Sequence, residues 1–329
     1  MVRSVRFVKD AWLNSGLGLL DFVPELEELR PDIFIVNEDG HTLEKAAQCV
    51  RLGIEYRVLQ RRPEPGLPER SSSELRSRGA SLPYRAEICG GWLDQPFINS
   101  KCPGYVICAQ LTPNPAFTQG GLATSTRATL AQLMAAGLYR MEPETLARTV
   151  FRIENGIDQP HRPISGAQDA LGLCLPGISF QYYDNGYWPR QVESISDPAT
   201  LRWLEAHLSL YPLRPRAPGF DPLRGCNLRD SALESLTQAS ALCKNAIEQR
   251  GSDELSESIS TCRQAQNVLF PAMFPPQILS EMARLEARGH FQNWKFTGCG
   301  GGGWALLMNA VDLPSAIPLK IAFDRLTLY

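Results

Sequence analysis

Four short segments of this chain combine chemically able side chains with the small residues that let a ligand approach the backbone. In YRAEICGGWLDQP, residues 84–96, Gly90 and Gly91 permit close backbone approach. Asp94 can accept hydrogen bonds from hydroxyl groups, and Arg85 supplies a fixed positive charge. In TQGGLATSTRATLAQLMAAGL, residues 118–138, a small-residue loop runs directly into an alanine- and leucine-rich helix. The free N–H groups and dipole of such a helix start favour a polyphosphate. Thr124, Ser125 and Thr126 add hydroxyls for phosphate oxygens or a magnesium ion. No lysine follows the glycines, so this is not the GxxxxGK[ST] loop. In PISGAQDALGLCLPG, residues 163–177, the Asp169 carboxylate is placed to orient or deprotonate an attacking hydroxyl. In KFTGCGGGGWALLM, five of the six residues from Gly298 to Gly303 are glycine. Such residues cost about 0.5–1 kcal/mol each against alanine in a regular element, so the run points to backbone held near a ligand.

Each segment also has an ordinary structural explanation: a tight Gly-Gly turn with a capping aspartate, a well-capped helix, a helix-capping Asp169 and a flexible glycine loop. Their order along one chain carries more weight than any one of them.

The elements that must position these residues are legible in part. PDIFIVNEDG reads as a buried strand running into a turn, HTLEKAAQCVRLG as a helix with a glycine stop, and IEYRVL as a second strand. Strand, helix, strand predicts a parallel α/β unit. The polar stretch RRPEPGLPERSSSELRSRGAS then marks a boundary near Ala80. Beyond it, short strands and glycine-rich loops run to about Arg190. LRDSALESLTQASALCKNAIEQR and the stretch up to Arg288 carry helical spacing, and WALLM reads as a buried strand.

Composition narrows the function classes. The chain has 329 residues, 43% hydrophobic and 21% charged, with a net charge of −2. This describes a soluble globular protein with room for two or three modules, and no nucleic-acid partner is expected. No apolar run approaches the roughly 20 residues of a membrane helix, and MVRSVRFVKDAW lacks a signal peptide's apolar stretch. No membrane partner and a cytoplasmic location are the expectations. The nine cysteines are scattered singly from Cys49 to Cys299 with no CxxC pair, which predicts reduced, mostly buried thiols. The four histidines, His41, His161, His207 and His290, are far apart, so no histidine-rich metal site is expected.

Taken together, GGWLD, GGLATST, SGAQD and TGCGGGG resemble the GHMP kinase superfamily, which includes galactokinase, mevalonate kinase, fucokinase and heptose kinases. The resemblance covers roughly residues 80–329, and GAQD is most similar to the GxQD pattern of the sugar kinases near fucokinase and heptose-7-phosphate kinase. It implies an α+β, two-domain GHMP kinase fold, with an N-terminal α+β ATP-binding domain at 80–195 and a C-terminal ferredoxin-like α/β sandwich at 196–329. It also implies an ATP- and Mg2+-dependent kinase acting on a sugar or sugar phosphate, usually at the anomeric hydroxyl. Asp169 would be the catalytic carboxylate and Arg85 its cationic neighbour, steadying the transferring phosphoryl group. Gly120, Gly121, Leu122, Ala123, Thr124, Ser125 and Thr126 would wrap the ATP phosphates. Ser125 and Glu154, in FRIENG, would hold magnesium, while Asp94, Gly91, Gly300 and Gly301 would meet the substrate. The family's phosphate loop usually reads Gly-Leu-Gly-Ser-Ser. Here Ala123 and Thr124 stand at its third and fourth positions.

Residues 1–79 carry a second resemblance: PDIFIVNEDG, GIEYRVLQR and PERSSSELR look like the latter half of a cytidylyltransferase-like domain. The HxGH motif of such enzymes occurs nowhere in the chain, so the resemblance implies either a non-catalytic remnant, which is the expectation, or a catalytic front half lying upstream of Met1. Two other functions fit the same residues: a catalytically silent binding or regulatory protein on the kinase fold, and the kinase half of a sugar-activation pair with a nucleotidyltransferase.

Overall fold

A computed structural model describes residues 9–10, 14–15, 20–60, 82–135, 141–156 and 164–322. The chain divides into two compact units, Met1–Ser71 and Ser72–Tyr329. The boundary expected near Ala80 and the PERSSSELR segment lie outside the described residues.

In the first unit, α1 (Val23–Leu29) precedes β1 (Ile33–Asn37), α2 (Leu43–Leu52) and β2 (Glu55–Leu59). The two strands pair in parallel from Ile33 opposite Glu55 to Asn37 opposite Leu59. The expected strand, helix, strand unit is therefore present, but β1 is not the buried strand that IFIV suggested: none of its five residues is buried and Ile35 is 52% exposed. Thr42 caps α2 by accepting from the Lys45 N–H, and Gly53 ends it in the left-handed region at φ 71°. Leu26, Cys49 and Ile54 form its small core.

The second unit holds two four-stranded antiparallel sheets. The first comprises β3 (Tyr84–Cys89), β4 (Gly104–Leu111), β5 (Ile178–Tyr183) and β6 (Gln191–Ile195), in that order. Inserted into it are the short α3 (Pro96–Asn99) and three helices, α4 (Thr124–Ala135), α5 (Pro143–Asn155) and α6 (Gln168–Cys174). After α7 (Pro198–His207) comes β7 (Leu208–Pro212), then α8 (Asp230–Gln249), α9 (Ser252–Leu269), α10 (Pro276–Ala287), β8 (Asn293–Phe296), β9 (Trp304–Met308) and β10 (Ile317–Pro318). The second sheet runs β10, β7, β9, β8. Its interior strand β9 is buried at all five positions, which is why WALLM shows no alternation.

Helix α8 packs on β4, and α9 packs on both α8 and β8. Apolar residues of α8 recur at helical spacing, with Leu233, Leu236, Cys243 and Ile247 all buried. One continuous hydrophobic core therefore takes in β3, β4 and β5 of the first sheet and β7, β8 and β9 of the second. A separate core, including Leu130, Leu146, Val150, Ala167 and Leu171, clamps α4, α5 and α6 together. Ala123 and Ala167 are buried in that core, so packing fixes the residues just before α4 and α6. Those two helix starts carry the candidate phosphate loop and Asp169.

Among the described residues, no helix is long and apolar enough to cross a membrane. All nine cysteines are free thiols, six of them buried.

Candidate active site

Strand alternation places Arg85 and Glu87 on one face of β3, away from Ala86 and Ile88 in the hydrophobic core. Both charged side chains are nonetheless buried, because α6 packs over β3 and β4. The β3–β4 register shifts between Glu87 and Cys89, a bulge of the kind that re-aims a strand beside a functional site. The chain then turns through Gly90, Gly91 and Trp92 and delivers Asp94.

These residues open onto a cleft of about 450 Å³. Its walls include Arg85, Glu87, Gly91, Trp92, Asp94 and Gln95 from β3 and the following turn. Gly120, Gly121, Ala123, Thr124 and Ser125 come from the loop into α4. Ser165, Gly166, Gln168 and Asp169 come from the start of α6, and Arg216, Gly298 and Cys299 from the second-sheet side. All four segments singled out in the sequence thus contribute to one cleft, the last through Gly298 and Cys299.

Asp169 and Arg85 form the central ion pair. Arg85 Nη2 donates to Asp169 Oδ1, and Arg85 Nη1 donates to the Thr297 carbonyl at 2.9 Å. The arginine side chain is 4% exposed and the aspartate 27% exposed, so the guanidinium is a fixed buried group and the carboxylate faces the cleft. Two glycines leave room for Arg85 and Asp94. A Cβ on Gly172 would collide with the Arg85 side chain, and one on Gly166 would collide with the Asp94 carboxyl.

Asp94 is buried, and its Oδ1 has no hydrogen-bond partner. Burial pushes its carboxyl up to about 7, against the pull of the Arg85 guanidinium and with a push from Glu87. Gln168 Oε1 is a second buried acceptor without a partner. Behind these groups, Lys295 Nζ lies 2.6 Å from Glu87 Oε2 in a fully buried pair. Burial lowers the affinity of the Lys295 amine for its proton, but the adjacent Glu87 carboxylate outweighs this and holds the ammonium above the usual lysine range. Glu87 Oε1 accepts the Gly91 N–H at 3.1 Å, so the pair anchors the turn that carries Asp94.

The loop into α4 departs from regular backbone where expected. Gly121 has φ 116° and Ala123 has φ 60°. The left-handed region costs an L-residue roughly 1–2 kcal/mol, so the alanine at the third loop position is strained, and so is Trp92 at φ 83°.

Several assignments from the sequence need correction in detail. Leu122 is fully buried in the core and presents no side chain to the cleft. Gly300 and Gly301 are not among the cleft residues. They face Met273 and Phe220, and Gly301 N–H donates to the Met273 carbonyl at 2.8 Å. The glycine run instead meets the cleft at Gly298 and Cys299, because its remainder pairs with the segment after β7, as Gly303 N–H does with Arg214 O at 3.0 Å. Ser125 lines the cleft, whereas Thr126 and Glu154 do not. The Thr126 hydroxyl lies 2.8 Å from both carboxylate oxygens of Glu154, which holds Glu154 beside the first turn of α4. Among the described residues, no three His, Cys, Asp or Glu side chains gather as a metal site.

Sequence reasoning missed Arg216, whose Nε donates to the Gly300 carbonyl at 2.9 Å while its Nη2 lies near Gly121 and Gly298. Nothing in PLRPRAPG singles it out. It also passed over Glu87, although a second charge two residues after Arg85 in an otherwise apolar strand was a visible signal.

The fold is shared with proteins of known structure. The chain resembles a D-glycero-D-manno-heptose 1-phosphate kinase from Bacteriodes thetaiotaomicron at 12% sequence identity and a TM-score of 0.50, over 75% of this chain and 98% of that one. It resembles the Methanococcus jannaschii mevalonate kinase at 12% identity and a TM-score of 0.50, over 69% and 89% of the two chains. At that identity the likeness is one of architecture, and the chain carries the GHMP kinase fold implied by its ordered glycine segments. No protein-family model matches the chain, and no curated protein matches its sequence.

Proposed function

We propose that this protein is an ATP-dependent kinase that phosphorylates a hydroxyl of a sugar or sugar phosphate, the anomeric hydroxyl by the resemblance of GAQD. The observation that carries this reading is a single cleft lined by the start of α4, the Asp169–Arg85 pair and the buried acceptors of Asp94 and Gln168. The helix start and the hydroxyls of Thr124 and Ser125 suit a polyphosphate, and Arg216 adds positive charge beside Gly121 and Gly298. Buried acceptors lacking donors suit a ligand rich in hydroxyls.

The oxygen donors near the first turn of α4 are of the hard type that fits Mg2+, which takes few protein carboxylates and keeps water and phosphate ligands. Ser125 would hold the ion from the cleft, while Glu154, bonded to Thr126 away from the cleft wall, would not. When bound, Mg·ATP supplies the phosphoryl group and the metal charge that neutralises it. Asp169 orients the acceptor hydroxyl and takes its proton as that oxygen bonds to phosphorus and the bond to the ADP oxygen breaks. Arg85, fixed by the Thr297 carbonyl, keeps the carboxylate aimed. Asp94 and Gln168 accept from the acceptor's other hydroxyls. Positioning of this kind supplies most of the acceleration in phosphoryl transfer.

The test is Mg·ATP-dependent ADP release across free hexoses, heptoses and their phosphates, run with Asp169→Asn alongside. Release with at least one sugar, abolished in the variant, supports the reading. Silence across the panel, or equal release in the variant, removes it.

A further inference from the structure

Trp92 sits between Gly91 and Asp94 in the cleft wall and is the one aromatic residue among the described residues that line it. Its φ of 83° belongs to a region where glycine is at home and a bulky residue is a true outlier. Residues held in such strain cluster at ligand sites, where the surrounding structure over-determines them. Here the surroundings are visible. Phe270 stacks on the indole with ring centroids 4.6 Å apart and planes at 24°, and the indole Nε1–H donates to Met273 Sδ at 3.1 Å. With its one polar group taken, the ring can present only hydrocarbon to the cleft.

In the same cleft stand two buried acceptors without partners, Asp94 Oδ1 and Gln168 Oε1. A ligand that satisfies this combination needs an apolar C–H surface for the indole and hydroxyl donors on its rim for the acceptors. A sugar in its pyranose form has both. An open-chain polyol has the hydroxyls but no rigid apolar face, and an adenine ring has few donors.

We propose that Trp92 is the platform on which the acceptor ring rests, so that affinity for a pyranose depends on the indole face. This inference rests on the kinase reading above and adds a specificity-determining residue to it. The geometry fixes the platform from behind through Phe270 and Met273, which leaves affinity for the acceptor dependent on the indole itself.

The experiment compares wild type with Trp92→Gly, Trp92→Leu and Trp92→Phe in steady-state ADP release. The acceptors are D-glucose, D-galactose, D-mannose and L-fucose. Trp92→Gly and Trp92→Leu should raise the aldose KM at least tenfold while leaving the ATP KM within twofold, and Trp92→Phe should stay within threefold of wild type for both. Should Trp92→Gly fail to fold, Trp92→Leu carries the same comparison. An unchanged aldose KM in the leucine variant, or a rise confined to the ATP KM, overturns the platform while the kinase reading stands. Wild type that releases no ADP with any of these acceptors or with the heptoses and sugar phosphates of the panel above overturns both.

Discussion

Arg85 and Asp169 are 84 positions apart in the chain and meet side chain to side chain at the head of α6. The arginine is buried and also bound to the Thr297 carbonyl of the segment after β8, so three distant segments converge on one guanidinium. The carboxylate keeps about a quarter of its surface open to the cleft. That asymmetry, a fixed cation behind an accessible carboxylate, suits a group that must present an oxygen to an incoming hydroxyl.

Replacing Asp169 by Asn keeps the shape and removes the charge. Turnover should fall by at least about 10³, the scale of losing a general base and its positioning, while ATP affinity by calorimetry stays within threefold. A large loss of ATP affinity would place Asp169 in the nucleotide site instead.

Ala123 holds the left-handed conformation at φ 60° in the loop before α4. Ala123→Gly should relieve this strain and stabilise the protein by about 0.5–1 kcal/mol, measured by chemical denaturation. The ATP KM should fall or stay constant. Destabilisation would mean that the methyl's packing in the α4, α5, α6 core outweighs the backbone term.

Asp94 has a carboxyl raised to about 7 by burial. A raised acid binds a proton in the folded state at pH values where the unfolded chain has lost it, so stability falls as pH rises from about 4 to 7. Asp94→Asn should therefore raise the melting temperature at pH 8 relative to wild type and leave it nearly unchanged at pH 4. In the wild type, kcat/KM for the acceptor should rise through an apparent pKa near 7 as the carboxylate forms, and the variant should lose that inflection. A pH profile identical in the two proteins would remove Asp94 from acceptor binding.

Lys295 and Glu87 are paired out of water. Lys295→Met leaves an uncompensated buried carboxylate and should cost roughly 3–5 kcal/mol in denaturant unfolding. Adding Glu87→Gln should recover much of that loss, since the charge then disappears with its partner. Additive losses in the double variant would show that packing, not charge pairing, sets the cost.

Much of this site was legible because its parts are local. The strand, helix, strand of the first unit follows from IFIV, the Thr42 cap and Gly53. Helix α4 follows from its small-residue start, and Asp169 and Asp94 follow from glycines beside carboxylates. What was not legible depends on long-range packing. Arg216 has no spacing signal, yet it reaches Gly300 in the loop before β9. The Glu87–Lys295 pair joins residues 208 apart. The glycine run was recognised, but which of its members face the cleft depends on its pairing with the segment after β7. Gly298 and Cys299 therefore line the cleft where Gly300 and Gly301 were expected.

The central claim is phosphoryl transfer from ATP to a sugar hydroxyl, and a single-turnover reaction with ATP labelled on its γ-phosphate tests it most directly. The account predicts that the label moves to the sugar in wild type and remains in ATP with Asp169→Asn. Label appearing only as inorganic phosphate, at the same rate with and without sugar, would contradict it.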